Sequence, residues 1–190
     1  YVAIIPASSP GPDDSHDEVA LYDTYVDSYN SGSTYCNAAE LQVEYNVLPY
    51  AAEQDATVAD YMRRSYVGFD LSSVPGNANV TSATFYAYLS SAWGKNPVPI
   101  NLLRVTSDWT CPSWNSRPTV QDWTSASINA TPGWKSWSVT SLVENYWIGK
   151  EFNEGTNQGL ELKGPESGGA ANYHGRYFHS RQGSNDPYLR

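Results

Sequence analysis

The chain has 190 residues, 40% of them hydrophobic and 14% aromatic, which is material for one well-filled domain and short of two. Only 16% are charged and the formal net charge is −9, so the surface is polar through Ser, Thr, Asn, Gln and Tyr rather than through ions. Excess acid excludes a binder of the phosphate backbone, so no nucleic acid is expected, and no apolar run is long enough for a helical membrane span. The acid is concentrated early: Tyr1 to Met62 hold eleven Asp or Glu and no Lys or Arg, against nine acids and eleven bases in the remainder. Acidic strands lying beside later ones that carry Arg176 and Arg181 would account for this, and a solvated acidic face is the plainer alternative.

In chain order, Pro6 to Ser15 is rich in Pro, Ser and Asp, so residues 1–17 read as a linker or N-terminal extension and 18–190 as the domain. Strands are predicted over 20–27, 40–45, 64–70, 81–89, 100–106, 135–140, 159–163 and 175–181. They are rich in Val, Thr, Tyr, Leu and Phe, several alternate with period two, and Gly, Pro, Asn or Ser separates them. Only Val139 to Ile148 offers a helical turn or two. The pattern is all-β, an antiparallel sandwich or barrel.

Chemistry-bearing residues are sparse. Cys36 and Cys111 have no CxxC spacing and no nearby His set for zinc. One disulfide closing a long loop, in a secreted or surface compartment, is the simplest reading, and two unpaired thiols the alternative. His16 falls in the extension, and His174 and His179 lie in or beside one strand with no nucleophile motif. No metal-binding spacing is present, although a structural calcium held by backbone carbonyls and Asp or Glu oxygens is compatible with an acidic sandwich. Nothing marks a catalytic site. The aromatic load of seven Trp and fifteen Tyr stands out, because such rings stack on sugars while tolerating water at their polar edges.

The order of segments carries a family likeness. It runs from Asp23-Thr-Tyr-Val26 through Arg64 to Phe69-Asp70-Leu71-Ser72 and Pro75, then Ala78-Asn-Val80-Thr-Ser-Ala83. Arg104-Val105-Thr106 with Trp109 follows, then Trp114-Asn115 with Pro118, Trp137-Ser-Val139-Thr140 and Trp147. Gly159-Leu-Glu-Leu162-Lys163 and Phe178-His-Ser180-Arg181 with Pro187-Tyr-Leu189 complete it. Over about residues 20–190 the chain resembles the DNRLRE family, which overlaps carbohydrate-binding module family 96. It departs from the pattern in the insertion Asn46 to Tyr61 and at Gln182. The resemblance implies a jelly-roll β-sandwich on secreted or surface proteins, with uronate polymers such as alginate as a type of ligand.

Trp109, Trp114, Trp137 and Trp147 fall on motif positions and are expected to be structural. Trp93, Trp123 and Trp134, with Tyr29 and Tyr35, fall between motifs and are expected on loops, where aromatics serve ligands. Lys95 and Lys135 stand near two of these tryptophans and would pair with a uronate carboxylate. The first expected role is therefore a non-catalytic module binding a polysaccharide or host or cell-surface glycan. The second is a stalk domain of a bacterial surface adhesin, excised from a longer chain with neighbouring domains. A stalk would be hardened by the disulfide, or by a self-formed side-chain bond with Asp23, Lys163, His174 and His179 as candidates.

Overall fold

Buried and open side chains alternate cleanly along Thr84–Ser90, whereas Asp23–Asp27 and Leu160–Leu162 are buried on both faces. The computed structural model describes residues 17–47, 60–75, 78–148 and 157–190. In them the chain forms β1 (Glu18–Val19), β2 (Tyr22–Asp27), β3 (Glu40–Val47), β4 (Asp60–Gly68), β5 (Thr84–Gly94) and β6 (Val98–Val105). There follow β7 (Val120–Ile128), β8 (Gly133–Ser138), the short helix α1 (Thr140–Leu142), β9 (Leu160–Lys163), β10 (His174–His179) and β11 (Tyr188–Leu189). A wider turn, Val143–Trp147, continues α1, where the helical turn was expected. Residues 1–16 of the expected extension, and 48–59 of the expected insertion, lie outside the described residues. The ends of that insertion are not loop: they belong to β3 and β4, which pair through Val47 and Asp60.

All strand pairs are antiparallel, and they divide into two layers that share β4. Sheet I runs β8–β5–β10–β3–β4, with β11 and β1 continuing beside the first half of β5. Sheet II runs β2–β4–β9–β6–β7. The first half of β4 pairs with β3 and its second half with β9, so the sheets fork there and fold over one another. Phe85, Ala87 and Leu89 from β5, Leu41 and Val43 from β3 and Phe178 from β10 face Ile100, Leu102, Leu160 and Leu162 from sheet II. The indole Nε1 of Trp137 crosses the gap to donate to the Ile100 carbonyl at 3.0 Å. Truncating buried rings such as Phe85 or Phe178 would cost about 3–5 kcal/mol each. This is the all-β jelly-roll sandwich that the resemblance implies.

Two corrections to the sequence reading concern strands. β7 was not predicted: its residues Gln121, Asp122, Ser125 and Ser127 are exposed on a sheet edge, and a bulge at Trp123 breaks its alternation. Arg176 does lie beside acidic β3, but its guanidinium turns into the core and donates to the carbonyls of Trp93, Gly175, Lys95 and Ile128. Arg181 does meet an early acid, its backbone N–H donating to Asp23 at 2.7 Å, and further early acids are met by Arg63, which binds Asp27 and Glu44, and by Arg190, which binds Asp17.

Candidate functional site

The outer surfaces of the two sheets differ in what covers them. Sheet II is roofed by its own β6–β7 connection. Trp109 and Trp114 from that segment pack against Val26, Tyr66 and Val105, and Trp109 Nε1 donates to the Gln158 carbonyl at 2.7 Å. Beneath them Tyr66 donates to Glu161, and Arg64 spans Glu161 and Glu166, so the charges there are mutually engaged. Burial holds the Glu161 carboxyl above its ordinary pKa, against the Arg64 charge. The Cys36–Cys111 disulfide, with Cα atoms 5.8 Å apart, ties this roof to the β2–β3 connection.

Sheet I presents ring side chains on its outer face. On β5 the odd residues Phe85, Ala87 and Leu89 are buried, so Tyr86 and Tyr88 project outward. Tyr188 of β11 stacks on Tyr86 with centroids 4.8 Å apart. Trp134 of β8 meets Tyr88 edge-on at 5.4 Å and Tyr188 at 5.1 Å, and remains 44% exposed. His179 of β10 approaches the other flank of Tyr88 at 5.1 Å. Strict alternation would then drive Trp93 into the core. An extra residue, Ser90, prevents this: the register of β5 against β10 shifts there, and the residues beyond it face the other way. Trp93 therefore lies outward, its Nε1 donating to the Tyr177 hydroxyl at 2.9 Å. Its indole lies across Gly175, where even a Cβ would come within 2.1 Å of Nε1, so the strand needs glycine to seat it. From Tyr86 to Trp93 the row extends roughly 20 Å along β5 at about 3.3 Å per residue.

Polar groups flank the row on β3. Glu40, opposite His179, accepts from Ser90 Oγ at 3.1 Å, and Gln42 stands opposite Tyr177. Further along, Arg63 lies over the rings of Tyr25 and Tyr61, and Tyr61 donates to Glu44 at 2.6 Å.

The sequence-predicted residues are distributed as follows. Trp93, Trp123 and Trp134 are not on loops, as expected, but on β5, β7 and β8. Trp93 and Trp134 share the outer face of sheet I, whereas Trp123 borders an open depression at the edge of sheet II with Asn101, Asp122, Thr124 and Ser125, and meets Tyr146 edge-on. Lys95 follows β5 and donates to Asn172, and Lys135, on the inward side of β8, donates to Asn129 at 2.7 Å. Tyr29 and Tyr35 do lie in the β2–β3 connection, where Tyr35 stacks on Tyr25 at 4.2 Å. The cross-link candidates have separate partners. Asp23 accepts the Arg181 backbone N–H at 2.7 Å, Lys163 pairs with Glu166, His174 Nδ1 meets the Asn172 carbonyl, and His179 Nδ1 meets Asn185. Among the described residues no three His, Cys, Asp or Glu converge to hold a metal ion. The outer tyrosines Tyr86, Tyr88, Tyr177 and Tyr188 were missed. For the first two the signal was in the sequence, since an alternation that buries Phe85, Ala87 and Leu89 turns Tyr86 and Tyr88 outward.

The β-sandwich is thus roofed on one face and carries a long aromatic strip on the other. Residues 17–190 match carbohydrate-binding module family 96, and the chain belongs to that family. A comparison with curated proteins gave no match.

Proposed function

We propose that the chain is a non-catalytic module of a secreted or cell-surface protein and binds a polysaccharide along β5, on the outer face of sheet I. The observation that carries this reading is the row formed by Tyr86, Tyr88, Trp134, Tyr188 and Trp93, whose rings stand on a sheet face rather than in the core. Such rings offer apolar faces to the C–H surfaces of sugars, and the flanking Glu40 offers an acceptor to hydroxyls. The disulfide suits an oxidising compartment, which supports the extracellular assignment. Affinity electrophoresis through polysaccharide gels tests the site. Trp134→Ala should weaken retardation about tenfold, with thermal stability nearly unchanged because the indole is half exposed. Full retention of binding by both Trp134→Ala and Trp93→Ala would sink the proposal.

The stalk role has one favouring observation, the covalent tie between the β2–β3 and β6–β7 connections. Its decisive measurement is the intact mass of the reduced, denatured chain. A deficit of one water or one ammonia would establish an internal side-chain bond, and a mass equal to the sequence would remove it.

A further inference from the structure

The bulge in β7 builds a feature that the aromatic row does not use. Leu102 stands opposite Thr124 and Leu103 opposite Asp122, so Trp123 has no partner on β6. In a regular strand Asp122 and Ser125, three residues apart, would lie on opposite faces. With Trp123 looped out they share a face, because their partners Leu103 and Asn101 are two residues apart on β6. Asn101, Asp122 and Ser125 thus come together, and with Trp123 and Thr124 they line an open depression of about 360 Å³. That volume lies within the range of small-ligand pockets.

The indole of Trp123 is braced. It packs against the core and meets Tyr146 edge-on at 5.5 Å. The Arg104 guanidinium lies 4.1 Å from the centre of the Tyr146 ring and donates to Gln121 at 3.0 Å. The polar side chains, by contrast, are uncommitted: those of Asn101, Asp122, Thr124 and Ser125 have no hydrogen-bond or ion-pair partner among the described residues. A held indole beside open carboxylate, amide and hydroxyl groups matches a sugar ring, which offers a C–H surface for stacking and adjacent hydroxyls that donate to the carboxylate. The geometry points to a separate carbohydrate site at the edge of sheet II, with Trp123 as its platform and Asp122 as its acceptor. One ring lines it, so it takes a single sugar unit or a chain end rather than an extended polymer. It shares no residue with the row on sheet I and does not depend on that row.

Nitrogen–proton spectra of the full chain resolve the Trp123 indole, identified by its loss in Trp123→Phe. The parent chain, Asp122→Asn and Trp134→Ala would be titrated with hexasaccharides of cellulose, xylan, mannan and alginate. Asp122 is exposed, so its variant should fold, and melting temperature checks this. At least one hexasaccharide should move the Trp123 signal saturably, with affinity about fivefold weaker in Asp122→Asn and unchanged in Trp134→Ala. A Trp123 signal that no hexasaccharide moves, that moves equally in Asp122→Asn, or that Trp134→Ala abolishes would overturn the inference. Shifts at Trp134 and Trp93 would in that case leave the reading of sheet I standing. Trp123 shifts with Trp134 and Trp93 unmoved would support this site and contradict that reading.

Discussion

Replacing Cys36 and Cys111 together by serine should destabilise the chain by about 4.5 kcal/mol, the chain-entropy value for a cross-link spanning 75 residues. The native roof over sheet II has other attachments: Trp109 Nε1 to the Gln158 carbonyl, the Asn115 backbone N–H to the Ser31 carbonyl, and the Trp114 ring against the guanidinium groups of Arg64 and Arg117. The folded state should therefore keep its geometry without the bond, and the loss should arise in the unfolded chain, which gains freedom once it is no longer closed into a loop. Guanidinium titration checks both parts. The midpoint should fall and the slope m should rise, because the uncrosslinked unfolded chain exposes more surface. Polysaccharide binding should survive in conditions where the variant is folded, since the aromatic row is on the other sheet. A stability loss below about 1 kcal/mol with unchanged m would refute the entropic account. Lost binding by a folded variant would refute the separation of roof and site.

Two further perturbations probe buried charge. Arg63→Met leaves Asp27 and Glu44, both nearly inaccessible, without their cation, and should destabilise by about 3–5 kcal/mol in urea titration. Part of that should return in the double variant with Glu44→Gln, and a loss under about 1 kcal/mol would contradict the pairing. Burial pushes the Asp23 carboxyl from an ordinary 3.8 up to about 6, against the opposing pull of the Arg181 backbone N–H and charge. A raised carboxyl pKa favours the folded state below pH 3.8, and that contribution disappears as pH rises through 6, so Asp23 should remove up to about 3 kcal/mol between those limits. Asp23→Asn, which keeps an acceptor for Arg181, should flatten the pH profile in this window and be the more stable protein at pH 7. A variant profile parallel to that of the parent chain would contradict the assignment.

How far the fold could be read from the sequence depended on whether one face of each strand was apolar. Thr84 to Leu89 alternates cleanly because its odd side fills the core, and its position was predicted to within a few residues. β7 escaped because an edge strand with two solvated margins tolerates Ser, Asp and Gln, and because the bulge shifts Trp123 out of phase. β1 and β11 have two residues each and no periodicity to read. The bulge at Ser90 had the larger consequence for the site. It is a property of the pairing between β5 and β10, so no window of β5 alone reveals that Trp93 faces out. Tyr177, Tyr188 and Trp134 are likewise brought together by register between strands distant in sequence. The tryptophans of the roof, by contrast, fell on motif positions and are packed as expected.

The seven tryptophans provide a direct reporter, because each indole N–H gives its own signal in a nitrogen–proton correlation spectrum. Titration with a polysaccharide that the chain binds should move the Trp134 and Trp93 signals first. Trp137 and Trp147, in the core, and Trp109 and Trp114, under the roof, should stay in place. Shifts confined to Trp109, Trp114 or Trp123, with Trp134 and Trp93 unmoved, would place the ligand on sheet II and contradict the assignment of the binding face.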